Sequence, residues 1–567
     1  MPSAPFRQSC VMAMRQQSLR TTSTRRWIVR ILISLLLAAA LLWLTSKPQI
    51  EADSRPVLSE GASADARGAA AFLGAGFGGI SMESLDSSAI PWRLAAAALV
   101  LDERRRNPSA AIDRATVRSI LKRFGFLYPA TIANLPADLR PRGGEMPLGI
   151  THGAIAPIGG TRVEVANLGC AACHAGVTYD ETGGPRPDRA WLGTPNSSID
   201  LEAYTQAIFD ATRRHIGSEE LLTTAATLYP EMGWRERQSL RWLVIPLAKR
   251  RLAALEGQPR PLPFPNGSPG STNGVAALKH ALGAPLAEGG PGDDGIVSVP
   301  ELGRREWRSA LLADGAYALP GIKPDATVEA DLTAERLREL AAITSFFTVP
   351  SMGVHPDRAQ QGIGDAEAVF AWLRTYRPQP FPGAIDHAAA RRGAAVYRAQ
   401  CAACHGDYAM NESAAPQLVR FPNWIGDVGT DPLRARLFDA ELRKAVGNTG
   451  YRKLIAVKAG RGYAAPPLAG LWSSAPYLHN GSVTSLGALL DPTQRQARFL
   501  VGGHALDFES VGLRLGPAGA YPDGYRPFST PQWTDTTQPG RGNGGHLFGA
   551  GLTAADRQAL IEFLKRL

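Results

Sequence analysis

The sequence predicts a mainly α-helical protein whose two domains each carry the same cysteine–histidine motif, behind an N-terminal membrane segment. The motif is Cys-Ala-Ala-Cys-His, and it occurs at residues 170–174 and 401–405. Four of the five cysteines of the 567-residue chain lie in these two copies. Apolar residues at helical spacing also precede the second copy and end the chain. A basic stretch without acidic residues, followed by an apolar run, opens the sequence.

The N-terminal segment predicts export. The first fifty residues carry seven basic side chains and no acidic one. The apolar run at 27–45 approaches the ~20 residues that a membrane span needs. The positive-inside rule then puts the leader, 1–26, in the cytoplasm and the domains in the periplasm, anchored to the inner membrane. A cleaved signal peptide is the alternative, and it would leave a soluble periplasmic or secreted protein.

The charge of the remaining chain argues against a nucleic-acid partner. The net charge of the whole chain is +10, but 54 basic residues face 51 acidic ones after the first fifty residues. No basic stripe with interleaved aromatic residues is present in the sequence, and nucleic-acid binding is therefore not expected. Cys10, in the leader, is expected to remain an ordinary free thiol in the cytoplasm.

The repeated motif predicts two covalently bound c-type haems. In C-x-x-C-H the two thiols attach to one porphyrin, and the histidine becomes the proximal iron ligand. A redox dithiol and a zinc site with four thiolate ligands are the alternatives. Neither explains a histidine in both copies. The predicted haem-attachment and proximal-ligand residues are Cys170, Cys173, His174, Cys401, Cys404 and His405.

Composition shifts divide the chain further. The proline-rich stretch 377–382 cannot be helical and predicts the joint between the domains. A helix beginning near Asp386 leads into the second motif, and Thr553 starts a terminal helix that is expected to pack back on it. The predicted segments are a linker at 46–70, an N-terminal haem domain at 71–376, enlarged by extra helices and loops, and a C-terminal haem domain at 383–567.

The sixth iron ligand of the second haem is predicted by elimination. Met410 lies too close to the motif to reach the opposite haem face, which leaves His479, His504 and His546. His546 lies in a glycine-rich loop just before the terminal helix, where the backbone can approach a porphyrin closely. His546 is the preferred candidate, His479 is the second, and an open site remains an alternative.

The sequence does not decide which residue, if any, binds the distal side of the first haem. Met352 occupies the position before a closing helix that corresponds to His546, and His355, His215 and His280 are further candidates. A site without a protein ligand is equally compatible with the sequence.

A long stretch of the second domain is distinctive: Tyr463-Ala-Ala-Pro-Pro-Leu-Ala-Gly-Leu-Trp-Ser-Ser-Ala-Pro-Tyr-Leu-His-Asn-Gly-Ser-Val483. With the segments 499–503, 507–512 and 542–549, it resembles dihaem c-type cytochromes related to rubber oxygenase, within the bacterial dihaem cytochrome c peroxidase superfamily. The resemblance covers most of 383–567 and is looser before it. It implies cytochrome c-like domains, a distal ligand in the C-terminal glycine-rich loop, hence His546, and a first haem that binds dioxygen at an open site.

The expected function is that of an exported dihaem cytochrome that transfers electrons. Peroxidase- or oxygenase-type chemistry at the first haem is one expectation, and a pure relay with both irons six-coordinate is the alternative. The catalytic residues are unknown. Trp191 and Trp472 are candidates for a relay between the haems. The expected partner is a redox protein or a small-molecule oxidant or reductant, with the membrane contacted through the N-terminal segment.

Overall fold

The computed structural model describes residues 27–38, 40–41, 49–52, 56–75, 90–140, 146–156, 159–286, 295–329, 333–351, 360–411, 414–458, 460 and 462–567. Residues 27–38 and 40–41 are helical and exposed. Within these ranges no helix is both long and apolar enough to cross a membrane. The predicted membrane segment continues to residue 45, past the described part of this helix, and it stays a prediction.

Helices account for 41% of the structure. The helices expected near residues 386 and 553 are both found. The helices are α1 Ala64–Ala70, α2 Trp92–Arg106, α3 Arg114–Arg123, α4 Cys170–Cys173, α5 Leu201–His215, α6 Glu219–Leu228, α7 Trp234–Ser239, α8 Ile245–Ala254, α9 Gly274–Ala281, α10 Ala334–Ser351, α11 Ile363–Thr375, α12 His387–Gln400, α13 Ala402–His405, α14 Leu433–Arg436, α15 Ala440–Gly447, α16 Leu486–Leu490 and α17 Ala554–Leu564.

Short strands occur along the whole described chain as well. The fold is therefore mixed, and the prediction of a mainly α-helical protein is corrected. Most strands have two to five residues and pair with partners far away in sequence, so they leave no alternating pattern in the sequence. The strands are β1 Gln49–Ala52, β2 Val57–Leu58, β3 Ile90–Pro91, β4 Thr131–Ile132, β5 Leu139–Arg140, β6 Ile150–Ala156, β7 Val163–Leu168, β8 Ala175–Tyr179, β9 Pro185–Leu192, β10 Ser271–Thr272, β11 Val297–Ser298, β12 Ala310–Leu311, β13 Tyr317–Ala318, β14 Asp407–Ala409, β15 Gln417–Arg420, β16 Ile425–Gly426, β17 Ala456–Val457, β18 Tyr463–Ala464, β19 Arg498–Val501, β20 Leu506–Asp507, β21 Gly512–Leu513 and β22 Gln532–Asp535.

The first motif joins two sheets. One sheet has the strand order β1-β6-β7-β3, and the other has the order β4-β9-β8. The motif follows β7 directly and leads into β8. On one side Ala172 belongs to a core formed by α2, α3, α5 and α6, which we call the first core. On the other side Ala171 and Ala175 pack against α1 and α11. The motif is therefore held between two apolar layers.

The second motif lies at the end of α12, which packs against the terminal helix α17. Asp386 caps α12 by accepting a hydrogen bond from the Ala389 N–H, and Thr553 caps α17 in the same way. The two helices cross at Gly393, where a Cβ atom would lie 1.9 Å from the carbonyl oxygen of Ala559. The expected contact between the first and last helices of this domain is thus confirmed.

The two parts of the chain are interwoven beyond the predicted joint. Residues 376–386 contain no helix or strand, as expected. Strand β13, which precedes this segment, pairs with β17, which follows it. Val328 and Phe421 form a further bridge across the joint. The division into domains at this point stays a prediction, and the sheet that contains β12, β13 and β17 draws residues from both sides.

Candidate functional site

Both motifs adopt one short helical turn that ends at or next to the histidine. In the first, the His174 N–H donates to the Cys170 carbonyl at 2.9 Å, and in the second the His405 N–H donates to the Cys401 carbonyl at 2.9 Å. This turn brings both cysteines and the histidine to one side of the chain. Gly149 packs directly on the first turn, because a Cβ atom there would lie 1.8 Å from the Ala172 nitrogen.

Each motif histidine has the same hydrogen-bond partner, the backbone carbonyl of a proline. His174 Nδ1 lies 3.0 Å from the Pro300 carbonyl oxygen, and His405 Nδ1 lies 2.8 Å from that of Pro466. A carbonyl can only accept, so Nδ1 carries the proton in both rings. The lone pair is then on Nε2, and the ring orientation is fixed as it is in metal-binding histidines.

A short segment connects these two proximal contacts. It runs from Pro300 to Arg308 and includes a 3₁₀ turn at Arg305–Trp307. Arg308 is 2% exposed and donates to the carbonyls of Ala310, Leu312 and Ala465. The last of these immediately precedes Pro466. One nine-residue segment therefore supplies the acceptor for His174 and holds the residue beside the acceptor for His405.

The protonation states of the motif side chains are set by burial. Burial raises the pKa of the Cys170 and Cys173 thiols to about 12 and that of Cys401 to about 11. It lowers the pKa of His174 to about 4, against the opposing effect of the Pro300 carbonyl. Redox dithiols work through a lowered thiol pKa, so these neutral thiols do not suit that alternative. The neutral histidines are ready to bind a metal.

None of the four motif cysteines forms a disulfide. The described ranges contain no cluster of three or more histidine, cysteine, aspartate or glutamate side chains placed to hold a metal ion. The two motifs therefore do not come together as one four-thiolate site.

The second motif has a histidine opposite it. The ring centroids of His405 and His546 are 6.3 Å apart, with their planes inclined at 60°. Metal–imidazole bonds are about 2 Å long, so two imidazoles on opposite sides of one ion have centroids roughly 6 Å apart. The Nδ1 atom of His546 is buried and has no hydrogen-bond partner in the described part of the chain. His546 is thus brought to His405 and is not held there by a side-chain hydrogen bond from Nδ1.

The loop before His546 is held from two sides. Its N-terminal end is fixed by Asp431, which accepts from the Gly542 N–H at 3.1 Å. Its other end is fixed by Arg495, which donates to the Gly545 carbonyl at 2.9 Å. His546 has a φ of +50°, a left-handed conformation that costs free energy in a residue with a side chain. Such strain is typical of positions where the direction of the side chain matters.

The other histidines of the second half have different surroundings. His479 stacks on Tyr463, with ring centroids 3.7 Å apart and planes inclined at 15°. Burial, and then the charge of Arg434, lower its pKa to about 3. His504 is buried, and its two ring nitrogens lie 3.3 Å from the Ser197 hydroxyl and 3.4 Å from the Gly502 nitrogen. These contacts describe packing and hydrogen-bonding roles.

Of the ligands predicted for the first haem, the described residues include His215 and His280. Met352 and His355 lie outside the described residues. His215 ends α5, and His280 packs edge-on against Phe264, with ring centroids 6.0 Å apart. The chain before Met352 is helical as far as residue 351.

The relay candidates both have engaged indole nitrogens. Trp191 Nε1 donates to the Arg377 carbonyl at 3.1 Å, and Trp472 Nε1 donates to the Gln379 carbonyl at 2.9 Å. Both therefore attach to the joint segment. A structural role in holding this segment accounts for these two contacts.

Sequence reasoning missed Pro300, Pro466 and Arg308. Pro466 lies in the distinctive stretch 463–483 and could have been singled out there. Pro300 has no local signal, because it is 126 residues from His174 in sequence.

The side chains present fit covalently bound haem. The second motif offers two cysteines that are separated by two residues and not joined by a disulfide, a neutral histidine whose Nε2 carries the lone pair, and a second imidazole whose ring centroid lies 6.3 Å away. The first motif offers the same set without the second imidazole.

Comparisons with known proteins agree for the C-terminal part. Residues 388–467 match the family described as cytochrome C oxidase, cbb3-type, subunit III, and residues 462–500 match the family described as RoxA-like, cytochrome c-like. Two proteins of Sinorhizobium fredii are also similar. Uncharacterized protein y4iJ is 28% identical over 36% of this chain and 43% of its own length. Uncharacterized protein y4iM is 32% identical over 25% of this chain and 37% of its own length. The chain thus spans less than half the length of these curated relatives.

The family match at 388–467 contains the second motif, and the family match at 462–500 contains the distinctive stretch 463–483. Residues 388–500 of this chain are therefore similar to cytochrome c-like domains, which carry covalently bound haem and transfer electrons.

Proposed function

We propose that this protein is an exported cytochrome with two c-type haems, one of which relays electrons to or from the other. The observation that carries the proposal is the shared geometry of the two motifs. Both end in a neutral histidine whose Nδ1–H donates to a proline carbonyl. In both motifs this hydrogen bond leaves the Nε2 lone pair available to bind a metal. The first motif is therefore expected to bind haem as the second does.

The second haem is proposed as the relay. His405 and His546 would bind its iron and would leave no position for an added ligand. Haem supplies a one-electron couple at this place. The role of the chain is to keep both imidazoles neutral and fixed. Pro466 orients the first, and the loop held by Arg495 presents the second.

The first haem is proposed as the reactive one. The observation that favours this is the asymmetry between the motifs. His405 has an imidazole opposite it, whereas in the first half His280 packs edge-on against Phe264 and His215 ends α5. An exposed coordination position is what a peroxidase- or oxygenase-type site needs. The alternative is a relay in which Met352 or His355 completes the first iron.

Ligand titration tests the proposal on the full chain. Cyanide and imidazole are added to the ferric protein, and carbon monoxide to the ferrous protein, with the Soret band and the EPR spectrum as readouts. We expect one of two haems to bind each ligand and the other to remain low-spin throughout. If neither haem binds an added ligand in either oxidation state, the protein only moves electrons.

Export is part of the proposal because haem attachment to C-x-x-C-H takes place outside the bacterial cytoplasm. The basic leader and apolar run at 1–45 support an inner-membrane anchor with the haem domains in the periplasm. The proposed partner is a periplasmic redox protein or a small oxidant or reductant. Fractionation tests the anchor: a fully soluble mature chain that begins near residue 46 would show a cleaved signal instead.

A further inference from the structure

A long surface helix in the first half presents tryptophan and basic side chains to solvent. Helix α7, a π-helical turn at Leu240–Val244 and helix α8 follow one another without a break. Leu240, Val244 and Ile245, at the junctions, all have right-handed helical backbone angles. At 1.5 Å per residue, this rod from residue 234 to residue 254 is about 30 Å long. We call it the surface rod.

The inner side of the surface rod attaches it to the protein. Near its start, Glu236 is buried and pairs with Arg93. Further along, Val244, Ile245 and Leu252 pack against the first core while remaining partly exposed. Helix α8 contains no buried residue. Leu240, in the π-helical turn, belongs to the first core, so the rod is anchored there while α8 lies on the surface.

The outer side has an unusual composition for a surface in contact with water. Trp234 is 75% exposed, Trp242 is 73% exposed and Leu247 is 47% exposed. Large apolar side chains are costly in such positions unless they meet a partner. The rod also carries six basic side chains, all exposed: Arg235, Arg237, Arg241, Lys249, Arg250 and Arg251.

The charge of the rod is almost entirely of one sign. Its one carboxylate, Glu236, is turned inward to Arg93 and does not offset the basic side chains on the outer side. Within the described part of the chain, the outer basic side chains form one ion pair, between the exposed side chains of Arg241 and Glu219 at 3.8 Å. Such pairs contribute little and are easily exchanged.

We propose that the surface rod docks on the anionic face of a phospholipid bilayer. Exposed tryptophans beside arginine and lysine on one helix are typical of helices that lie in a membrane interface. The indole rings would lie at the level of the headgroups, and the basic side chains would bind phosphate groups. Docking through the rod would fix the orientation of the first motif relative to the membrane. An N-terminal anchor on a linker would hold the protein near the membrane without fixing that orientation.

Hydrogen–deuterium exchange of the full haem-loaded chain tests this. The chain is inserted into nanodiscs of phosphatidylcholine alone and into nanodiscs of equal parts phosphatidylcholine and phosphatidylglycerol. We expect backbone amides at 234–254 to exchange at least about ten-fold more slowly in the anionic discs, because docked amides open less often. The protection should disappear in W234S/W242S and in R241Q/K249Q/R250Q.

Matched variants remove the same side-chain types elsewhere. W533S removes another exposed tryptophan, and R391Q/R392Q/R398Q removes three exposed arginines from α12. Both controls should keep the protection of the rod, and all variants should keep the haem spectrum of the parent. Equal exchange in the two kinds of disc overturns the proposal. So does protection that appears only when an acidic protein is added, because the rod would then be a protein-docking surface.

Discussion

The imidazole rings of His405 and His546 face each other with centroids 6.3 Å apart, although 141 positions separate them in sequence. His405 is fixed through Pro466, and His546 is fixed through its loop. Because the pair is assembled from two independently held segments, removing one ring should leave the other in place. The site can therefore be dissected by single substitutions.

Replacing His546 by alanine should convert one haem from low-spin to high-spin and raise its reduction potential, because the ferric state loses a basic ligand. EPR and spectroelectrochemistry of the full chain measure both effects. His479→Ala is the matched control, since His479 stacks on Tyr463. It should keep the low-spin signal. The reverse pattern would assign the ligand to His479.

The double substitution Cys401→Ser/Cys404→Ser should lower the haem content from two per chain to one. The same substitution at Cys170 and Cys173 should have the same effect, because each motif attaches its own porphyrin. A pyridine haemochrome assay on denatured protein counts the attached haem. Cys10→Ser, outside both motifs, should leave two. A single haem in the parent chain would contradict the prediction.

Gly393→Ala should destabilise the packing of α12 on α17. The new Cβ atom would lie 1.9 Å from the Ala559 carbonyl oxygen, so one helix must move. The expected loss is about 1–3 kcal/mol in the free energy of unfolding, as for other overpacked positions. Guanidinium unfolding followed in the Soret band measures it.

Gly364→Ala, in α11, is the matched control because no atom lies within 4 Å of the added Cβ. It should be neutral, or stabilising by up to about 1 kcal/mol. If both variants unfold at the same denaturant concentration, the close helix crossing does not limit stability.

Glu301 should make the protein less stable as the pH rises. Burial raises the pKa of this carboxyl from 4.5 to about 7, in spite of the hydrogen bond that Tyr376 donates to it at 2.7 Å. Between these two values the folded state holds a proton that the unfolded state has released. Stability is therefore full below about pH 4.5 and falls by up to about 1.4 kcal/mol per pH unit until the pH passes 7.

Glu301→Gln keeps the acceptor for Tyr376 and removes the charge. Its free energy of unfolding should fall less between pH 5 and pH 8 than that of the parent, as measured by guanidinium unfolding at several pH values across that window. Glu335→Gln, which removes an exposed carboxylate, should follow the parent. A variant at Glu301 with the slope of the parent would show that this carboxyl is ionised in the folded state.

The local features of the fold could be predicted from the sequence, and the long-range ones could not. Helices begin at Asp386 and at Thr553 as expected, because the cap that starts a helix depends on residues three positions away. Strands such as β13 and β17 depend on a partner about 140 residues distant and have only two residues each. No periodicity of two can be read from so short a segment.

The same distinction applies to the site. The motif residues Cys401, Cys404 and His405 are contiguous, and a glycine-rich loop marks His546. The carbonyl acceptors at Pro300 and Pro466 are backbone atoms, and every residue has a carbonyl. Only the tertiary structure shows which of them meets an imidazole nitrogen.

The pairing of β13 with β17 has a consequence for how the chain acquires its structure. β13 can gain this partner only after about 140 further residues have been synthesised, so this part of the first half cannot complete its structure before the second half is present. A chain cut after residue 376 would keep the first motif, but β13 would have an unpaired edge and the layer around Tyr317 would lack the apolar residues of α15. The smallest unit that can mature as a whole is thus longer than the part that carries the first motif.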